Sequence, residues 1–281
     1  MLGMIPVFTI YWSFLNRPAS LSSTTTGIEV LPNLLRDTAF LTSVFSLIYV
    51  IITPVASNLL SKKYTALPKR KKDELPSYVL CLIHHIVAVP VAWSNVYADF
   101  NLTNEAAQNI DYAPLTAIIA PWCIAYLITD TMFFALPEAF VGKFEYITHH
   151  ILTLILVISS LFGPGSTLRF IPHLLISDTT NIFFNTAWLI RAMGGQGFFF
   201  LNFLEISFAV SFFFVRVINM SAMFWALGKQ ATGLGLARYV LAPIALMQWF
   251  WFYKIVRIMY FRLVSHEPSN AIGSVRRKEK S

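Results

Sequence analysis

Long apolar runs alternate with short polar segments along the whole chain. Seven of these runs, residues 38–60, 76–96, 112–136, 144–162, 168–190, 197–224 and 236–261, are about as long as the ~20 residues a helix needs to cross a bilayer. The pattern predicts an all-α, polytopic transmembrane bundle or barrel of about seven membrane-spanning helices. Pro54 predicts a bend in the first run, which neighbouring helices can accommodate in a membrane. Gly163-Pro164-Gly165 predicts the turn between the fourth and fifth runs, and Met193-Gly194-Gly195 the turn after the fifth.

Composition sharpens this reading. Hydrophobic residues make up 56% of the 281 and charged residues 12%, against roughly 25% charged in a soluble domain. The net charge of +7 would suit nucleic acid, but its distribution points to no nucleic-acid partner. Lys62, Lys63, Lys69, Arg70, Lys71 and Lys72 crowd the segment 61–75, and Arg276, Arg277, Lys278 and Lys280 the tail. Cytosolic flanks of membrane helices collect such residues. The segment 97–111 has no Lys or Arg and carries Asp99, Glu105 and Asp111, which predicts the opposite side. There Asn101-Leu102-Thr103 forms a glycosylation acceptor pattern, weak alone but agreeing with the charge bias. An odd number of spans then predicts a lumenal N-terminus and a cytosolic C-terminus.

The expected divisions are 1–71, with the first span and the basic loop; 72–264, the main membrane domain; and 265–281, a polar tail. The apolar start, 1–15, lacks the positive flank of a cleaved signal and reads as an interfacial or partly inserted segment. The tail resembles dibasic endoplasmic-reticulum retrieval signals but has Glu279 where Lys is expected. Cys81 and Cys123 both fall in apolar runs, which excludes a disulfide framework and a cysteine-based zinc module.

The chemistry lies in polar residues that interrupt the spans. At ~1.5 Å rise per residue, the pairs His84/His85 and His149/His150, together with Asp130 and Glu205, fall in the cytosolic half on this topology. Asp178 lies near mid-membrane, with Asn181 and Asn185 following at i+3 and i+7 on one helix face. Glu205 and Arg216 share a face but are ~16 Å apart in height, so each requires another partner. One polar group in a membrane helix is most simply interhelical glue, worth ~0.6–2 kcal/mol. A set from five helices at one level instead predicts a polar cavity, and intramembrane ionisable groups mark functional sites. His173 and His266 stand apart, and His173, near the lumenal end, reads as structural or interfacial. Trp249 to Tyr253 cover every direction around their helix and read as lipid contact and packing.

Asp130 within 125–137, Phe144-Glu145-Tyr146-Ile147-Thr148-His149-His150, the segment 178–185 and Arg216 within 212–217 together resemble the TLC domain. This domain is shared by ceramide synthases, TRAM translocon-associated proteins and TLC-domain-containing (TLCD) proteins. The resemblance covers about 72–264 and implies a helical barrel with a lipid-accommodating cavity in the endoplasmic reticulum or a related membrane. In ceramide synthases, paired histidines and a downstream acidic motif serve acyl transfer from acyl-CoA to a sphingoid amine. The pair carries over to His149 and His150. The acidic motif carries over only at Asp178: the chain reads Ser177-Asp178-Thr179-Thr180-Asn181, and a later acid becomes Asn185. This pattern looks closer to the TLCD branch, which implies a role in membrane lipid composition and homeostasis.

Three function classes stay open. The first is a lipid-handling protein that binds or regulates sphingolipid or phospholipid. The second is an acyltransferase using His149 or His150 with Asp178 orienting an imidazole, no cofactor, and acyl-CoA as co-substrate. The third is a TRAM-like secretory or cargo role. His84, His85, Asp130, Asn181, Asn185, Glu205 and Arg216 would line the cavity. Membrane di-iron oxidases need more histidines, in HxxHH-like clusters, so two bare pairs predict no metal. Homo-oligomerisation is left open.

Overall fold

A computed structural model describes residues 27–100, 113–162, 170–194, 198–229 and 235–265. Among these residues all regular structure is helical. Helix α1 runs Gly27–Leu47, passes through a wider π-helical stretch at Ile48–Ile52 and finishes as Thr53–Leu60. A single turn, α2 (Lys62–Thr65), leads to α3 (Lys69–Phe100). Helix α4 runs Ala113–Asp130, π-helical Thr131–Ala135 and Leu136–Phe140. Then come α5 (Phe144–Phe162) and α6, which is Phe170–Leu175, a 3-10 turn at Ile176–Asp178, and Thr179–Ala192. Helix α7 is Phe198–Ser211, π-helical Phe212–Ile218 and Asn219–Lys229; α8 is Gly235–Ser265.

Among the described residues, six stretches are long and apolar enough to cross a membrane: Leu31–Leu59, Lys69–Val96, Ile119–Phe140, Phe144–Leu161, Phe199–Phe224 and Tyr239–Phe261. The chain is a multi-pass integral membrane protein. Helix α6, over which a seventh span is expected, is not among these six. It packs between α3 and α7.

Among the described residues there are three π-helical stretches, and prolines explain two of them. Pro54 and Pro137 each follow such a stretch by two residues. A proline ring removes one backbone hydrogen bond and collides with the preceding turn, and a wider turn ahead of it relieves the collision. Where a bend is expected at Pro54, the structure shows this wider stretch. The third stretch, Phe212–Ile218, contains no proline and carries Arg216.

The helices close on themselves. Going round, α3 packs on α4, α4 on α5, α5 on α8, α8 on α7, α7 on α6, and α6 on α3. Helix α1 lies outside this ring, mainly against α4. Two apolar clusters fill the ring at one end. One joins Ile124, Leu156, Val157, Leu174, Met220, Met223 and Leu241; the other joins Val96, Ile119, Cys123, Ile171 and Leu175. Successive ring helices run in opposite directions, so the same end recurs late in α3, early in α4, late in α5 and early in α6. Polar residues take over just beyond this plug. Large apolar side chains such as Phe199 and Phe140 point outward instead, at 86% and 83% exposure. An inside that is partly polar and an outside that is apolar is the arrangement a lipid environment favours.

Turns between ring helices follow ordinary helix-end chemistry. Gly142 takes φ 87°, with its amide donating to the Ala139 carbonyl at 3.0 Å and the Lys143 amide donating to Glu138 at 3.0 Å. Glycine adopts this left-handed geometry without strain. The Asn101 acceptor, the start 1–26, the Gly163-Pro164-Gly165 turn, His266 and the basic tail lie outside the described residues.

Candidate functional site

The centre of the ring is a set of polar side chains from α3, α6, α7 and α8. Asp178 lies in the 3-10 turn of α6. Its Oδ2 is 3.4 Å from His85 Nε2 and 3.9 Å from His84 Nε2. Its Oδ1 accepts from Asn181 Nδ2 at 3.3 Å and lies 3.7 Å from Arg216 Nη2. Asn181 Nδ2 is also 3.4 Å from His85 Nε2, and its Oδ1 accepts from Arg216 Nη2 at 3.0 Å. One carboxylate thus gathers two imidazoles, an amide and a guanidinium.

Arg216 is 5% exposed and its donors are taken up by fixed acceptors. Nε donates to the Ser177 carbonyl at 3.1 Å and to Thr180 Oγ1 at 2.7 Å; Nη1 donates to Gln248 Oε1 at 3.3 Å. A guanidinium has five donors in a rigid fork, and burying it unpaired would be costly. The 3-10 turn and the π-helical stretch lie opposite each other, and α6 packs against α7 here. Both departures from α-helix fall where Asp178 and Arg216 must face each other.

A second cluster sits beside the first. His150 Nε2 lies 3.1 Å from Asp130 Oδ2, while Ser77 Oγ donates to Asp130 Oδ1 at 2.6 Å. His150 Nδ1 faces the Tyr146 carbonyl at 2.8 Å. Both ring nitrogens are therefore engaged, so His150 offers no lone pair to a substrate. His149 differs. Its ring lies 5.8 Å from that of His150 and edge-on to Trp251 at 5.2 Å, and its buried Nδ1 has no hydrogen-bond partner. Of the adjacent pair, His149 is the imidazole free to act as a base or a nucleophile.

His84 stacks on Tyr126 at 4.2 Å between ring centres, and its Nδ1 is likewise unpartnered. His85 Nδ1 is 3.3 Å from Cys81 Sγ, which also accepts from Tyr126 Oη at 3.2 Å. Helical spacing assembles this face of α3: Ser77, Cys81 and His85 recur every four residues.

The structure brings His84, His85, Asp178, Asn181 and Arg216 into direct contact, with His149, His150 and Asp130 adjoining. Asn185 is buried further along α6 with Nδ2 unpartnered. Glu205 is ion-paired with Arg191 of α6. The separate partners required for Glu205 and Arg216 are thus Arg191 and Asp178. His173 contributes its backbone carbonyl to Asn219 at 2.6 Å. Cys81, Ser77, Tyr126, Thr180, Gln248 and Trp251 are site residues that sequence reasoning missed. The four-residue spacing on α3 and a lone glutamine in an aromatic run were the signals that could have found three of them.

His84, His85 and Asp178 present ligand atoms within 4.8 Å of one another, a spacing that could hold a metal ion. Their surroundings fit an ion poorly. Arg216 already neutralises the carboxylate, and His84 Nδ1 lacks the acceptor that orients a metal-bound imidazole.

No curated protein matches the chain. The TLC-domain family model matches residues 74–257, from the first turns of α3 to the latter part of α8. That span contains the ring and every residue of the two clusters, and leaves α1 out. It is more than half of the chain, and the protein belongs to the TLC-domain family.

Proposed function

We propose that this protein handles lipids within the membrane, receiving the polar part of a lipid inside the ring next to Asp178. One observation carries the reading. Asp178 is paired with His85 and Arg216 at the centre of an apolar ring, yet 22% of its side chain stays accessible. An accessible charge inside a ring of membrane helices supports a hollow that polar groups can enter. The reading places the protein in the endoplasmic reticulum, with a part in membrane lipid composition. Lys62 to Lys72 mark the cytosolic end, so the polar half opens toward the cytosol. The site works without a resident metal, since Arg216 supplies the positive charge.

A second reading, acyl transfer from acyl-CoA to an amine, is favoured by His149. Its open nitrogen can take a proton from an attacking amine or carry an acyl group. The His150–Asp130 pair holds α5 in place behind it. Mass spectrometry of lipids bound to the purified protein, with and without long-chain acyl-CoA, tests both. A retained lipid supports the first reading, and an acylated product lost in His149→Ala supports the second. Purified protein carrying no lipid contradicts the first.

A further inference from the structure

Cys81 is not an isolated thiol. Its Sγ lies 3.3 Å from His85 Nδ1, and the opposite nitrogen of that ring lies 3.4 Å from Asp178 Oδ2. Thiol, imidazole and carboxylate follow in the order of a nucleophilic triad, where the imidazole takes the proton and the carboxylate holds the ring. Tyr126 Oη donates to the same sulfur at 3.2 Å. Beside it, His84 is 1% exposed, stacks on Tyr126 and leaves Nδ1 without a partner. A buried polar atom left open on a ring stacked against the tyrosine that donates to the thiol points to a ligand that completes it. Cys81 is partly exposed, whereas Cys123 is packed at 3% exposure among Ile119, Ile171 and Leu175.

We infer that Cys81 is a nucleophilic thiol that accepts a long-chain acyl group from an acyl thioester. The inference rests on the acyl-transfer reading for the nature of its donor, but assigns a covalent step to α3 rather than to His149. His85 removes the thiol proton as sulfur attacks the thioester carbonyl. The carbon–sulfur bond to the leaving thiol breaks, and His85 returns the proton to that thiol. One thioester replaces another, so no oxidant or reductant is required.

The test is incubation of the purified full-length protein in nanodiscs with alkyne-tagged palmitoyl-CoA, followed by peptide mass spectrometry over time. The expected adduct lies on Cys81, is released by neutral hydroxylamine, and forms faster than in the urea-unfolded chain. Cys123→Ala keeps this adduct, and Cys81→Ser loses the hydroxylamine-labile form. His85→Gln slows labelling by ~10²–10⁴-fold, the usual contribution of a general base. Wild-type labelling no faster than the unfolded chain overturns the inference whatever the variants do. If Cys81 stays unmodified while acylated lipid is still made, the inference fails and the His149 reading stands. If no acyl-CoA yields either adduct or product, both fail.

Discussion

His150 Nε2 lies 3.1 Å from Asp130 Oδ2, joining α5 to α4 beneath the centre of the ring. With Tyr146 occupying the other nitrogen, this histidine is a clamp, and its neighbour His149 is left with the open lone pair. Two adjacent and chemically identical residues thus take different roles because of what each ring meets.

The division of labour has a direct consequence. His150→Ala leaves Asp130 buried beside Ser77 without its cation, which costs ~3–5 kcal/mol of stability. His149→Ala breaks no hydrogen bond at Nδ1 and costs ~1 kcal/mol. Thermal unfolding of the two variants in the same detergent should order them so. Equal destabilisation would contradict the assignment.

Arg216 and Asp178 should behave as one unit. Removing either partner leaves a buried charge uncompensated, at ~3–5 kcal/mol for Arg216→Met or Asp178→Leu. Replacing both costs less than the two losses added, because neither charge is then stranded. A double-mutant cycle measured by unfolding should return a coupling of ~0.5–3 kcal/mol. Simple additivity would show that Arg216 is held by Ser177, Thr180 and Gln248 alone.

Metal should contribute nothing to the fold. Prolonged chelation is expected to leave the melting temperature unchanged. A bound ion at a hundredfold excess over its Kd would add ~2.7 kcal/mol, so added zinc should produce no such gain in wild type. Zinc stabilisation appearing only in Arg216→Met would support Arg216 as the resident cation.

Much of this architecture was legible in advance. Apolar runs separated by basic or glycine-bearing breaks report helices directly, because a bilayer demands long unbroken apolar segments. Alternating helix direction predicts His84, Asp130 and His149 in the cytosolic half, with Asp178 near mid-membrane. Other features were out of reach. A cysteine in an apolar run looks like core, and only contact with His85 and Tyr126 separates Cys81 from Cys123. Glu205 resembles the site acids in sequence, but its partner Arg191 comes from a neighbouring helix whose placement no linear pattern specifies. The order of helices around the ring, with α8 between α5 and α7, is likewise a property of packing. The π-helical stretch around Arg216 has no proline to announce it.

The proposed function puts the polar part of a lipid inside the ring against Asp178. Photo-crosslinking of the purified protein with a lipid bearing a diazirine close to its headgroup tests this most directly. Adducts are expected on inward residues, Asp178, His149 and Trp251 among them. Adducts confined to outward residues such as Phe199 and Phe140, with none inside the ring, would contradict it.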